Sequence, residues 1–472
     1  MNKLSTRNRK ITYIVGIVIL LAPIIYLGQP ASRADTASGG LIAQERYKAR
    51  LGEASLGDVD PASTSMSLVL LGMRGLAANL LWMQADQLRD RKQWSTLEQT
   101  VESILLLQPH FQSVWKFQCW NLTYNVSAEC DAVTDRYYWV KRGLIFLTRG
   151  VNRNISIPEL PHDLGDFCGK KIGRADERDF YRRFFVSDPD PQFDGGPDPK
   201  VNENGEDNYL VARKWYSKAN EVADSGVVQQ HKMDGPLFYS YPTKALMDFG
   251  AAKQQDALDV KPEAMDRLFA DAKQRWAEAY DEWVGVFGRR EFVVPVFGKI
   301  QIDGNDSELA KYAEEDGMTL EQKREYRDRY QNTTAYRYWK LRCEAEKTDD
   351  LSNGHRLLIV GRKKYRDDQD MQGAEEALSE GLTRMERVFN QHKNDEGRSR
   401  LVADDTDMLE EVLKALLIYR QVRELNGNPI GQMDDFPMKS VWTDPQFQGD
   451  IAKLAEKFQR WQGGVTTGTT TN

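Results

Sequence analysis

The sequence predicts an all-α protein: an array of antiparallel helix pairs behind one N-terminal transmembrane helix. Three observations predict it. Apolar residues recur at three- and four-residue steps through most of the chain, which is the period of one helix face. Prolines and glycines punctuate these runs and leave only short turns between them, so successive helices pack antiparallel. A single long uncharged run lies near the N-terminus, directly behind a basic cluster.

That cluster is Lys3, Arg7, Arg9 and Lys10, and the uncharged run is residues 11–28. A helix needs about 17–25 apolar residues to span the bilayer core. The positive-inside rule puts residues 1–10 in the cytoplasm and the bulk of the chain outside it. The expected location is therefore the inner membrane, single-pass, with a large periplasmic domain. A cleaved signal peptide is the rival; its apolar core is shorter, and Ser32-Arg33-Ala34 fits a small-x-small cleavage site poorly. Residues 29–65 read as a tether with a short helix around 41–51. Residues 67–83 are apolar but contain Arg74 and Asn79. Charge at mid-membrane is costly, so a buried opening helix is expected, with a helix on the membrane surface as the alternative.

Residues 66–186 form the first block of helix pairs. Trp94, Leu97, Val101 and Ile104 share one face, and Gln108-Pro109 ends that helix because proline has no N–H to give. Phe111, Trp115, Cys119, Leu122 and Val126 mark the next helix, and Val140, Leu144, Leu147 and Val151 the third. Pro158 opens a fourth, with Leu164, Cys168 and Ile172, that stops at Gly173. Residues 176–186 are a short helix. Residues 187–207 are rich in proline, glycine and acid, and read as a solvated loop of low order. Their aspartates, Asp188, Asp190, Asp194 and Asp198, could hold calcium, but the EF-hand pattern is absent.

Residues 208–425 hold further helices. Runs are expected at 209–222, at 242–258 opened by Pro242, and at 262–287. The last carries Met265, Phe269, Ala272, Trp276, Ala279, Trp283 and Val286 on its core face. An irregular insert at 288–304 reads as a small hairpin limited by Pro295, with a ligand loop as the alternative. Residues 307–348 are helical with a break near Gly317. Residues 426–462 are a loop and a last helix, and residues 463–472 a disordered tail.

Composition narrows function by exclusion. Aromatic content is 10%, with 11 Trp and 19 Tyr, so the chain folds. A net charge of −7 and the lack of a basic stripe argue against nucleic acid as a partner. Cys119, Cys130, Cys168 and Cys343 show no C-x-x-C spacing, and no histidine has a second histidine or cysteine at helical ligand spacing. Buried thiols are expected at Cys119 and Cys168, with a disulfide between any pair of the four as the alternative. No catalytic residues, metal ligands or cofactor are expected, since no nucleophile elbow, phosphate loop or zinc motif is present.

The segment LLLQPHFQSVWKFQCWNLTYN resembles the junction of two tetratricopeptide repeats, with Trp115 as the large residue of a first helix. In LGDFCGKKIG, Leu164-Gly165 resembles the repeat's Leu-Gly pair, and Gly165 would be small because a paired helix crosses there. The spacing from Cys119 to Gly165 exceeds the family period of about 34 residues, and an insertion near residues 128–135 is expected to account for it. Gln118-Cys119 also departs from the Leu-Gly pair. Residues 70–173, with GMRGLAANLLW and LPHDLGDFCGKKIG, and the later YRYWKLRCEAEKTDD, are similar to uncharacterised membrane-anchored bacterial repeat proteins. The resemblance implies a right-handed array of degenerate repeats and an anchor, and no activity.

The expected function is a membrane-anchored, extracytoplasmic scaffold that binds other proteins on a concave surface. An accessory subunit of a membrane export or transport complex is the alternative. The repeat resemblance, with Trp115 at the fourth position of its helix and Gly165 at the eighth of the next, implies that Ser113, Lys116, Trp120, Thr123 and Tyr124, and then Glu159, His162, Asp166, Gly169 and Lys170, line that surface. Trp120 and Tyr124 lie off the core stripe, and aromatics near lysine suit a binding hot spot. Packing against a neighbouring helix is the competing role for these two rings.

Overall fold

A computed structural model describes residues 6–28, 40–41, 44–45, 74–226, 233–257, 260–431 and 433–466. Most of the expected tether, all of residues 67–73 and the end of the tail lie outside the described residues. The protein is mostly α-helical, and the chain divides into two compact units, residues 1–233 and 234–472.

In the first unit the helices are α1 (Thr6–Gly28), α2 (Arg74–Asp90), α3 (Trp94–Leu107), α4 (Gln112–Trp120), α5 (Val133–Arg153), α6 (Glu159–Asp166), α7 (Arg178–Val186) and α8 (Asn208–Asp224). Two of them continue as wider π turns: α4 into Asn121–Val126 and α6 into Phe167–Ile172. Helices pack in pairs, α2 on α3, α4 on α5 and α6 on α8. Small residues set how closely they approach. A Cβ on Gly150 of α5 would lie 2.8 Å from the Trp115 ring, and one on Gly165 of α6 would lie 2.6 Å from Tyr216 of α8. Trp115 is fully buried, and its Nε1 donates to the Pro109 carbonyl at 2.8 Å, so the proline that ends α3 also receives the core indole. Ser127–Ala132 is only a short link between α4 and α5. Between Cys119 and Gly165 the chain is occupied mainly by the π extension of α4 and the 21 residues of α5, not by an inserted loop at residues 128–135.

The loop at 187–207 is held down rather than loosely solvated. The Lys141 ammonium of α5 is buried against Asp188 at 2.7 Å and Asp198 at 3.3 Å, and lies 4.7 Å from the centre of the Phe193 ring. A lysine therefore occupies the place a cation would take between these carboxylates. Among the described residues no cluster suits a metal ion.

The second unit runs α9 (Gly235–Asp256), α10 (Pro262–Glu282), β1 (Glu291–Val294), β2 (Gly298–Gln301), α11 (Asp306–Asp316), α12 (Leu320–Thr334), α13 (Tyr336–Glu346), α14 (Asp349–Lys363), α15 (Met371–Gln391), α16 (Arg400–Ala403), α17 (Thr406–Leu425), α18 (Lys439–Thr443) and α19 (Gln448–Thr466). Pro242 lies inside α9 instead of opening it, because Pro236 already sits in the first turn, where its missing N–H is harmless. A π turn, Trp283–Phe287, ends α10 and leaves Val286 exposed while Trp283 stays buried. The hairpin forms with Phe292 opposite Ile300. Val296 takes a φ of 71° at its turn, a conformation usually left to glycine. α11 ends at Gly317, and a second break follows at Ala335, both left-handed. α14 and α15 pack along their length, with Gly354 and Gly381 at the contact. Residues 463–466 continue α19, so the tail expected from 463 begins as helix.

Among the described residues no helix is long and apolar enough to cross a membrane. Part of the side chains of α1 lie outside the described residues.

Candidate functional site

The register of α4 and α6 decides the site. A step of four residues overshoots an α-helical turn of 3.6 by about 40°, and the wider π turn undershoots it. Across the junction at Asn121 the two deviations offset each other. Lys116, Trp120 and Tyr124 consequently stay in one line along α4 and its extension. π turns of this kind recur at functional sites.

Lys116, Phe117, Trp120 and Tyr124 face Asp163, Asp166, Phe167 and Lys170 of α6 and its extension across a cleft of about 500 Å³. Trp120 is 47% exposed and Tyr124 38%, so neither is a core residue. Their ring centres lie 6.0 Å apart, and Tyr124 is again 6.0 Å from Phe167. The structure brings together Lys116, Trp120, Tyr124, Asp166 and Lys170 from the sequence-based set.

Thr123 and His162 do not line the cleft. The π turn rotates Thr123 toward α5, where its methyl group would lie 2.5 Å from a Cβ on Gly143, and its hydroxyl donates to the Cys119 carbonyl at 2.8 Å. His162 lies on the face of α6 that packs on α8, buried edge-on to Tyr216 with ring centres 5.0 Å apart. Gly169 is buried on that same face, 3.5 Å from the Ala212 side chain as judged from its Cβ direction. Sequence reasoning missed Phe117, Asp163 and Phe167. Phe117 had a signal, an aromatic three residues before Trp120. Asp163 and Phe167 had none, since only the approach of α6 to α4 brings them in.

The charges cross-link the cleft. The Lys116 ammonium meets Asp163 at 3.0 Å and Glu159 at 3.2 Å. Lys170 meets Asp166 at 2.8 Å, and the Tyr216 hydroxyl donates to the same carboxylate at 2.6 Å. Burial pushes the Asp163 carboxyl up to about 6, against the pull of Lys116 and with the nearby Asp166 and Glu159 adding to the rise. Burial would lower the Lys116 ammonium, yet Asp163 and Glu159 outweigh it and hold the group above its ordinary value. The two shifts act in opposite senses on one ion pair. The rise at Asp163 is the firmer, because burial and two neighbouring carboxylates act together there. Below the cleft, Cys119 and Cys168 are buried free thiols, and burial pushes both up, Cys168 to about 12. Neither is suited to act as a nucleophile.

A second cluster of charge lies in the other unit. Arg342 meets Glu346 at 2.7 Å and also pairs with Asp405. Both ring nitrogens of His355 face carboxylates, Glu411 at 2.7 Å and Glu346 at 3.3 Å. Gln254 donates to Glu346 at 2.8 Å, and the Tyr338 hydroxyl to Asp405 at 2.7 Å. Arg342, Glu346 and His355 are sealed from solvent. That arrangement ties α9, α13, α14 and α17 together and offers a ligand no approach.

Comparison with protein-family models, with curated proteins and with solved structures gave no match.

Proposed function

We propose that this protein is a membrane-anchored helical-repeat scaffold that holds a segment of a partner protein in the cleft between α4 and α6, outside the cytoplasm. The observation that carries the reading is the pair of half-exposed rings, Trp120 and Tyr124, set beside cross-linked charges in a concave site. Concave, largely apolar sites with a few convergent polar groups are where binding concentrates, and large aromatics dominate binding energies. The pairing of consecutive helices and the close approach at Gly165 support a degenerate tetratricopeptide-like array.

Support for the anchor comes from α1. Its uncharged part, residues 11–28, would reach about 27 Å, close to the bilayer core of about 30 Å. Ile11, Ile14, Val15, Ile17, Ile19 and Leu20 are all at least half exposed, a pattern that suits lipid better than water. The basic cluster Lys3, Arg7, Arg9 and Lys10, ahead of the uncharged run, favours a cytoplasmic N-terminus.

The test is a photocrosslinking residue at position 124 of the full chain in native membranes, with position 453, on α19, as an exposed control. The expected result is a protein adduct at 124 that is absent at 453 and lost with Trp120→Ala. Equal labelling at both positions, or none at 124, sinks the scaffold reading of this cleft.

A further inference from the structure

We infer that the cleft takes an arginine side chain from the partner segment, laid on Trp120 and Tyr124 with its guanidinium against Asp163 and Asp166. The inference rests on the scaffold reading and adds the chemistry of what is bound.

Charge is the first argument. Glu159, Asp163 and Asp166 line or border the cleft, against Lys116 and Lys170. Both ammoniums already hold carboxylates of the site, Lys116 those of Asp163 and Glu159 and Lys170 that of Asp166. An incoming anion would meet acids before it met an available cation. An apolar occupant would strip water from Asp163 and Asp166, whose side chains are 22% and 31% exposed, and give nothing back. A cation satisfies both. Glu159 takes less part, since Gln112 and Lys116 already donate to it and it is the most buried of the three acids.

Ring geometry is the second argument. The indole of Trp120 and the phenol of Tyr124 are inclined by 32° with centres 6.0 Å apart, so two half-exposed aromatic rings stand together beside the acids. Such faces attract cations. Tyr124 already accepts one: the Lys171 ammonium lies 4.6 Å from its centre. Lys171 does not balance the cleft, because the charges acting on it are Glu177, Arg136 and Asp176. Arginine fits better than lysine. Its planar guanidinium stacks on a ring while its fork of N–H groups reaches carboxylates, whereas an ammonium is a compact, strongly hydrated point charge. Burial, with Asp166 and Glu159 nearby, makes the ionised form of Asp163 costly, and an added cation offsets that cost.

The experiment titrates the full chain in detergent micelles with blocked pentapeptides, Gly-Gly-X-Gly-Gly, where X is arginine, lysine, citrulline, leucine or glutamate. The readout is the indole N–H signal of Trp120, assigned with Trp120→Phe. The arginine peptide should shift that signal saturably and bind about tenfold tighter than its neutral isostere, citrulline. Asp166→Asn should remove most of that advantage, and the Lys116–Asp163 pair stays intact as a folding control. Glutamate or leucine binding as tightly as arginine overturns the inference, as does an arginine advantage that survives Asp166→Asn together with Asp163→Asn. Vesicles of phosphatidylcholine form a separate arm. If they move the Trp120 signal and the arginine peptide does not, the occupant is a choline headgroup and the inference fails. A protein adduct at position 124 combined with no arginine preference would leave the scaffold reading standing and remove only the arginine.

Discussion

Two charged clusters, one in each unit, use charge in opposite ways. In the second, Arg342, Glu346, His355 and Asp405 are sealed together and each meets an opposite charge within the protein. In the first, Lys116, Asp163, Asp166 and Lys170 pair at the rim of a cleft, beside rings that stay half exposed. The difference teaches where recognition is to be sought. A sealed network fixes how helices meet and leaves nothing for a ligand to gain. A cross-linked rim keeps its groups in place yet available, and unevenness, such as the raised carboxyl of Asp163, survives there.

The comparison breaks most visibly at Arg342. Arg342→Met leaves Glu346 and Asp405 buried with one cation fewer, and losing one partner of a buried pair costs about 3–5 kcal/mol. Denaturant unfolding of the full chain should show the transition of residues 234–472 moving to lower denaturant while the other unit keeps its midpoint. An unchanged midpoint would mean that the network does not hold the helices together.

Trp115→Ala is the matching test of the first unit. Removing a fully buried indole, with its hydrogen bond to Pro109, should cost about 3–5 kcal/mol. Thermal melting should drop by several degrees and take partner capture with it, in contrast to changes at the rim.

A pH series sharpens the contrast. Burial would lower His355, but Glu411 and Glu346 outweigh it and raise the imidazole from 6.5 to about 10. A group raised on folding stabilises fully below its unfolded value, so this contribution is present below pH 6.5 and is lost as pH climbs toward about 10. Burial would raise Glu346, but His355 and Arg342 reverse that and bring it from 4.5 to about 2. Its contribution is present above pH 4.5 and is lost as pH falls toward about 2. The second unit should therefore be most stable between pH 4.5 and 6.5 as far as these two groups decide it. His355→Gln should flatten the alkaline side of that profile, and a profile that keeps its alkaline slope in the variant would assign the slope to other groups.

The smallest effect on stability should come from Trp120→Ala. The ring is 47% exposed, so the melting midpoint should move by no more than about 0.5 kcal/mol equivalent. Capture at position 124 should nonetheless be lost. A drop as large as that of Trp115→Ala would make Trp120 part of the core.

The sequence by itself determined the helices and their buried faces. Leu97 to Ile104, Trp115 and Cys119, and Met265 to Trp283 obey a period that depends only on residues three or four apart, which any reader of the chain can count. Breaks at Pro109, Gly173 and Gly317 were legible for the same local reason. Gly165 was legible too, because a close crossing demands a missing side chain wherever it occurs. Tertiary structure decided the rest. The π turns after Trp120 and Asp166 change the register by fractions of a turn, which turned Thr123 inward and kept Tyr124 at the cleft. His162 was buried because α8, far along the chain, packs on that face of α6. Lys116 with Asp163, Lys141 with Asp188, and Arg342 with Asp405 are partners that no spacing announces. Helix periodicity is written in neighbouring residues, whereas an ion pair between helices depends on where each helix comes to rest, and that is set by the packing of the whole unit.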